Sequence, residues 1–333
     1  MPGTSIFTHA NIVKETTRGT PVAPTRKLYM EGTGVLDHDL GVSFHESELR
    51  GTRTSIVRAT ETKEAVAVAL RTLADSGVGY DELPYFLDAL LGAQTGVGGG
   101  ANKTWTMTPS MTAANNPDAF SLDVGDDIQN WRLQYCMWQR LHLSAAQTEL
   151  TMLEVDGFAQ RAVKGAAASP ANSSPVRIPG SLWTFKFAST MAGLPAAGVM
   201  SNFVLSWDLD VNTGLVPRFY LDGNLYFGQH VESSITGTIG LRVESHASTI
   251  TNFYDNYDTQ TMQFVRAKAT GPVLGGAFYD AQIDVAVLWD KPSILAESED
   301  GINIYNVTGR LAYDATSTNS IVPVIVNSIS ALT

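Results

Sequence analysis

Cysteine is almost absent: Cys136 stands alone in 333 residues. A single thiol excludes an internal disulfide framework and any zinc site built on cysteines. Basic charge is scarce too. Lys and Arg total 22 against 33 Asp and Glu, a formal net charge of -11, whereas a sequence-reading DNA binder would be basic. Acidity of that size repels phosphate polyanions. Apolar runs are short: the longest clean one, Ala65 to Leu70, falls far below the roughly 18 residues that span a bilayer. Met1 to Ala10 carries neither a basic n-region nor an apolar h-region, so no secretory signal is expected and the thiol is expected to stay reduced.

Catalytic and metal-binding patterns are equally sparse. His9, His38, His45, His142, His230 and His246 are scattered, and His45-Glu46-Ser47-Glu48 lacks the second histidine of a helical zinc motif. It reads as a surface loop. Gly98 to Thr104 superficially resembles a phosphate loop, but Asn102 stands where glycine must precede the lysine, and a strand rather than a helix follows. There is no Gly-x-Ser-x-Gly elbow, and Cys136 sits mid-strand as a small apolar filler. Neither an enzyme nor a cofactor is expected.

What is present is alternation. Charged residues make up 17 % against about 25 % in ordinary domains, so Thr, Ser, Asn and Gln supply much of the polar surface, as in β-rich proteins. Phe203, Leu205, Trp207 and Leu209 share one parity, with Ser206, Asp208 and Asp210 on the other. Ala281, Ile283, Val285 and Val287 oppose Asp280, Gln282 and Asp284, and Trp131 to Leu143 alternates likewise. Each predicts a strand with one wet face. Helical spacing predicts a helix over Tyr80 to Gly92 and a weaker one over Thr249 to Tyr257. The small, Pro- and Ser-rich stretch from Lys164 to Gly180 reads as a linker that halves the chain.

The two halves resemble each other. At an offset of about 171 residues, Asp37 and Asp39 fall on Asp208 and Asp210, and the strong helix falls on the weak one. After the helix the offset drops to about 152, and Val155-Asp156-Gly157 falls on Val307-Thr308-Gly309. Residues Ser181 to Val199 find no first-half equivalent. The expected fold class is therefore mainly β, two tandem β-sandwich or barrel domains, each flanked by one α-helix. Expected boundaries are an arm 1–27, a domain 28–163, the linker 164–180, a second domain 181–316 and an arm 317–333.

The run Lys14-Glu15-Thr16-Thr17-Arg18-Gly19-Thr20-Pro21, a short strand at Leu28 to Met30, Glu48-Leu49-Arg50-Gly51-Thr52-Arg53 and the duplicated layout together resemble the tail tube proteins of long-tailed, non-contractile bacteriophages. The resemblance implies a non-enzymatic virion subunit whose inner sheets join around a ring, with rings stacking into a tube assembled in the host cytoplasm. A chain of two such domains implies a homotrimer with pseudo-hexameric symmetry. It also implies self-association, a tape measure protein inside the tube, tail tip and terminator proteins at its ends, passing phage DNA, and no membrane. The N-terminal arm, the hairpin around Asp37 to Arg53, the linker and the C-terminal tail would reach the neighbouring ring.

A conduit for DNA must not bind it, so wet-face carboxylates are the candidate channel wall: Asp37, Asp39, Glu61, Glu64, Asp208, Asp210, Asp280 and Asp284. Two rival readings remain. A carbohydrate- or receptor-binding β-sandwich on the virion surface would expose Trp and Tyr as platforms, and a hydrolase using paired carboxylates would need a pocket with perturbed acidities.

Overall fold

A computed structural model describes residues 8–31, 36–44, 59–92, 94–200 and 203–332. His45 to Glu48 and Glu48 to Arg53 lie outside the described residues.

The first half contains β1 (His9–Lys14), β2 (Arg26–Leu28), β3 (Met30–Glu31), β4 (Leu36–Asp39), β5 (Val42–Phe44), β6 (Ala59–Glu61), β7 (Ala65–Thr72), helix α1 (Leu83–Leu91), β8 (Lys103–Thr106), β9 (Phe120–Gly125), β10 (Asn130–Ala146), β11 (Met152–Ala159) and β12 (Arg161–Gly165). The second contains β13 (Trp183–Ala188), β14 (Val199–Met200), β15 (Val204–Asn212), β16 (Val216–Arg218), β17 (Gln229–Val231), β18 (Thr236–Glu244), α2 (Ala247–Thr249), a π-turn Ile250–Tyr254, α3 (Asp255–Asp258), β19 (Gln263–Leu274), β20 (Ala277–Trp289), β21 (Ser293–Glu299), β22 (Ile302–Leu311) and β23 (Ile321–Asn327). The chain is mainly β, in antiparallel sheets that pack as a sandwich.

Both halves pair their strands in the same order. In the first, one sheet runs β2-β1-β9-β10-β12, and the far end of β10 continues into a second sheet, β10-β11-β7-β4. In the second, β14-β13-β19-β20-β23 is followed by β20-β22-β18-β15. β13 thus occupies the place of β1, which accounts for residues that sequence offset left unmatched. The halves then meet edge to edge, because β10 also pairs with β15 from Arg140↔Asn212 to Ala146↔Ser206.

One aromatic arrangement recurs at the centre of each half. Trp138 pairs with Gly157 and Trp289 with Gly309, and each indole lies across its glycine. A Cβ at Gly157 would sit 2.9 Å from the Trp138 ring, and one at Gly309 would sit 2.8 Å from the Trp289 ring. The helix covers the other side: Phe86 of α1 meets Trp138 at 5.6 Å between ring centres, and Phe253 of the π-turn meets Trp289 at 4.8 Å. Such tilted and edge-on contacts add to the burial of large rings. The apolar face of α1 at Leu83, Phe86, Leu87, Leu90 and Leu91 is buried as its spacing predicts, and Pro84 fits the first helical turn, where its missing N–H is not needed.

This pairing refines the alignment of the halves. Val68 and Ile239 face Gly157 and Gly309, and their other partners are Leu36 and Leu209. Asp37 therefore takes the place of Asp210, and Asp39 that of Asn212. The turns agree: Asp39 and Asn212 each accept the N–H two residues on, from Gly41 at 2.8 Å and Gly214 at 2.7 Å, and both glycines have positive φ.

The segments expected as arms and linker are built into the sandwich. β1 pairs along its length with β9, and β23 lies between β20 and β8 of the first half. Asn327 accepts from the Trp105 indole at 3.0 Å and donates to the Tyr80 carbonyl at 3.1 Å. The linker is pinned by Ile178, which is fully buried, and by Arg177 donating to Glu82 at 2.8 Å. The continuously buried run Ala10 to Val13 and the alternation of Ile321, Pro323 and Ile325 pull the two ends inward.

Candidate functional site

The Glu-x-x-x-Gly element of the N-terminal run is a structural clamp. Glu15 is 4 % exposed. One of its carboxylate oxygens accepts the Gly19 N–H at 2.7 Å, and the other accepts the Tyr135 N–H at 2.8 Å and the Ser121 hydroxyl at 2.9 Å. Burial pushes the Glu15 carboxyl upward in pKa while those donors oppose the shift. Tyr135 sits at φ 53° in the bulge of β10, so the clamp holds a backbone that a non-glycine residue rarely adopts.

The long sheet β4-β7-β11-β10-β15-β18-β22 buries one face and wets the other. Leu141, Leu143, Leu153, Val155, Leu209 and Val211 point into the core. Residues paired directly across a ladder share a face. Asp37 and Asp39 of β4, Glu154 and Asp156 of β11, Arg140 and His142 of β10, and Asp208 and Asp210 of β15 therefore line one wet surface. Arg140 links three strands, donating through Nε to Asp210 at 2.8 Å and through Nη1 to Asp156 at 3.2 Å. Asp208 is half-buried over Gly240, and burial pushes its carboxyl up, with His142 opposing and Asp210 adding to the shift. Asp39 is held below the usual carboxylate range by the Gly41 N–H and then by Lys63, at 3.2 Å.

The other candidate carboxylates lie elsewhere. Glu61 is on exposed β6, opposite Val42. Glu64 is buried and paired with Arg161 at 3.1 Å and His38 at 3.3 Å. Asp280 and Asp284 belong to the other sheet: Asp280 pairs with Lys268 at 3.0 Å, and Asp284, 6 % exposed, takes two bonds of 2.7 Å from Arg266. Reading single strands missed Glu154 and Asp156. Their alternation with Leu153 and Val155 is the signal that could have placed them.

Five of the six tryptophans, Trp105, Trp138, Trp183, Trp207 and Trp289, are buried and have no surface to offer a sugar ring, while half-buried Trp131 carries the Lys164 ammonium 4.9 Å from its ring centre. Cys136 is buried, and burial holds its thiol well above its ordinary pKa. Among the described residues no three His, Cys, Asp or Glu side chains gather to hold a metal ion, and no helix is long and apolar enough to cross a membrane.

A hairpin joins the halves across the same wet surface. The strands β16 and β17, between β15 and β18, fold back over the first half. Phe227 packs against Tyr135 and Phe158 with ring centres 5.1 and 5.2 Å away, in a small core with Leu215, Met137 and Ala119. Gln160 donates to the Phe227 carbonyl at 2.7 Å, and Glu232 accepts the N–H groups of Asn115 and Asn116 at 2.7 and 2.6 Å.

Sandwiches that repeat one pairing order and share a continuous sheet with a charged wet face define a β scaffold suited to assembly. The chain matches the phage tail tube protein family over residues 8–311 and belongs to it, a structural component of the virion tail. No curated protein matches the chain.

Proposed function

We propose that the chain is the wall subunit of a phage tail tube: two copies of one folding unit, three chains to a pseudo-hexameric ring, and rings stacked into the conduit through which DNA leaves the particle. The supporting observation is the in-chain seam between β10 and β15. It joins the second sheet of one half to that of the other, so the same join repeated between chains would carry the sheet around a ring. The two ends of that sheet need it. β4 pairs on one side with β7, and β21 on one side with β22. Among the described residues neither strand has a second partner, and edges of this kind template further strand pairing that closure removes.

The wet face then lines the bore, with Asp37, Asp39, Asp208 and Asp210 as wall carboxylates beside Glu154 and Asp156. A wall that gathered 6 to 10 phosphate contacts would hold DNA at roughly 10⁻⁴ to 10⁻⁶ M per site, ring after ring. Carboxylates prevent that hold. At physiological salt their repulsion reaches only about 8 Å, so the face lubricates and does not drive. Two arginines on it are spent on carboxylates, Arg140 on Asp210 and Asp156, and Arg242 on Glu299 at 2.8 Å. Tape measure, tip and terminator proteins are the partners this role requires.

Electron microscopy of the purified protein across a concentration and salt series tests the reading. Hollow rings or tubes with threefold averages are expected. Monomers that persist even with a tail-tip complex as initiator would overturn it.

A further inference from the structure

We propose that the strand β4 and hairpin β5–β6 of one chain complete, on the second half of another copy, the seam that β15 and hairpin β16–β17 complete on the first half of the same chain. This rests on the ring reading above. It goes further by fixing the partner strand, the register and the anchoring side chains, and it places this hairpin within one ring, whereas the resemblance implied contact with the next ring.

The register follows from the ladders. Trp138 and Trp289 mark equivalent positions, each opposite its glycine. After them both strands skip one residue: β10 resumes at Arg140↔Asp156 and His142↔Glu154, and β21 begins at Ser293↔Asn306, the last position in common before β21 shifts to Glu297↔Ile304. Lys291 is thus the counterpart of Arg140, and Ser293 that of His142. On the other strand, Asp37 and Asp39 are the counterparts of Asp210 and Asn212. Within the chain Arg140 faces Asn212 and His142 faces Asp210. Between copies, therefore, Lys291 faces Asp39 and Ser293 faces Asp37.

The hairpins carry the same correspondence into exposed apolar surface. Leu215, just beyond the Gly214 turn, is 1 % exposed and shares a small core with Met137, itself fully buried. Val42, just beyond the equivalent Gly41 turn, is 43 % exposed, and Leu288, the counterpart of Met137, is 36 % exposed. An apolar residue on the hairpin and an apolar residue on the sheet are both open in one chain, at the places where their counterparts cover one another. A second copy brings them together. The charges agree at the facing positions, with Lys291 on the receiving half and Asp37, Asp39 and Glu61 on the arriving segment, while Arg310 is already bound to Asp290 at 3.0 Å.

Cysteine cross-linking under mild oxidation tests the register. The pair Asp37→Cys with Ser293→Cys is expected to give covalent dimers and closed trimers on non-reducing gels. The pair His142→Cys with Asp210→Cys, the in-chain equivalent, should cross-link within the monomer and serves as the geometric control. Buried Cys136 stays silent. Rings visible by microscopy without an intermolecular cross-link, while the control pair closes, would overturn this register and leave the ring standing. Monomers throughout would overturn both. As a second readout, Val42→Asp should cut ring yield at least tenfold with an unchanged circular dichroism spectrum. Asp39→Lys and Lys291→Asp should each reduce ring yield, and the double swap should restore it; a double swap no better than either single change would overturn the proposed pairing.

Discussion

Arg140 and Asp210 are 70 residues apart, and the guanidinium Nε of the first donates to the carboxylate of the second at 2.8 Å across the join between the halves. Arg140 keeps a side-chain exposure of 40 % and Asp210 of 27 %, so solvent screens the pair. A double-mutant cycle on Arg140→Ala and Asp210→Ala is expected to give a coupling of about 0.5 to 1 kcal/mol that shrinks in 1 M salt. The buried side of the same ladder outweighs it. Leu209→Ala, which empties a fully packed position opposite Leu143, should cost about 2 to 5 kcal/mol in urea unfolding. A coupling above the cost of Leu209→Ala would show that charge rather than burial sets the join.

The two glycines under the tryptophans should not be equally tolerant. An added Cβ at Gly157 would lie 2.1 Å from the Met137 carbonyl oxygen, which belongs to the ladder and cannot move aside. At Gly309 the nearest atoms are the Trp289 ring at 2.8 Å and a Val287 methyl at 3.0 Å, which can shift a little. Gly157→Ala is expected to cost about 3 kcal/mol and Gly309→Ala about 1 to 2 kcal/mol. Equal losses in chemical denaturation would refute the difference.

Asp88 gives the fold a pH dependence of unusual sign for a carboxylate. It is fully buried on α1, accepts the Gln94 N–H at 2.5 Å, and lies 3.7 Å from the Lys14 ammonium. Burial lifts its pKa from 3.8 to about 7, with Lys14 opposing and nearby Asp118 adding to the rise. Between those values the folded chain holds a proton that the unfolded chain has lost. Stability from this group is therefore full below about pH 4 and declines as pH rises toward 7, by at most about 1.4 kcal/mol per pH unit. Asp88→Asn keeps an acceptor for Gln94 and should flatten the decline. Thermal melts of both proteins from pH 4.5 to 8 that run parallel would rule this out.

How much of this was legible follows from the range of each signal. The helix α1 announces itself through Leu83, Phe86, Leu87 and Leu90, and the strands through two-residue alternation, because both patterns are local. Alternation tells which residues are wet but not which sheet they wet. Asp280 and Asp284 therefore looked like Asp208 and Asp210, although the first two are spent on Lys268 and Arg266 in the other sheet. The clamp on Glu15 was visible only as a motif, since its partners Ser121 and Tyr135 lie more than a hundred residues away. Hairpins of unequal length slid the alignment of β4 on β15, and only the ladder through Val68 and Ile239 put Asp37 onto Asp210. The C-terminal segment, 317–333, read as a loose arm. Its alternating Ile321, Pro323 and Ile325 in fact close the sheet beside β20.

If the wet face lines the bore, reversing its charge should trap DNA, whereas neutralising it should do little. Glu154 is the informative position, because it is exposed on β11, one strand removed from the in-chain join, with His142 and Arg71 as its cross-strand neighbours. Glu154→Lys adds one phosphate-binding cation per chain, repeated in register along the tube. Contacts of that kind accumulate, and their hold on DNA weakens steeply with salt, by about 10³ to 10⁵ between 50 and 200 mM for 6 to 10 contacts. Phage carrying Glu154→Lys should assemble tails of normal length and eject DNA slowly at low salt, recovering as salt is raised. Glu154→Gln should eject at the parental rate, since losing one carboxylate creates no attraction. An ejection rate that ignores Glu154→Lys at every salt concentration would place this face on the outside of the tube and hand the bore to the opposite sheet, where the carboxylates of Asp280 and Asp284 are already bound by Lys268 and Arg266.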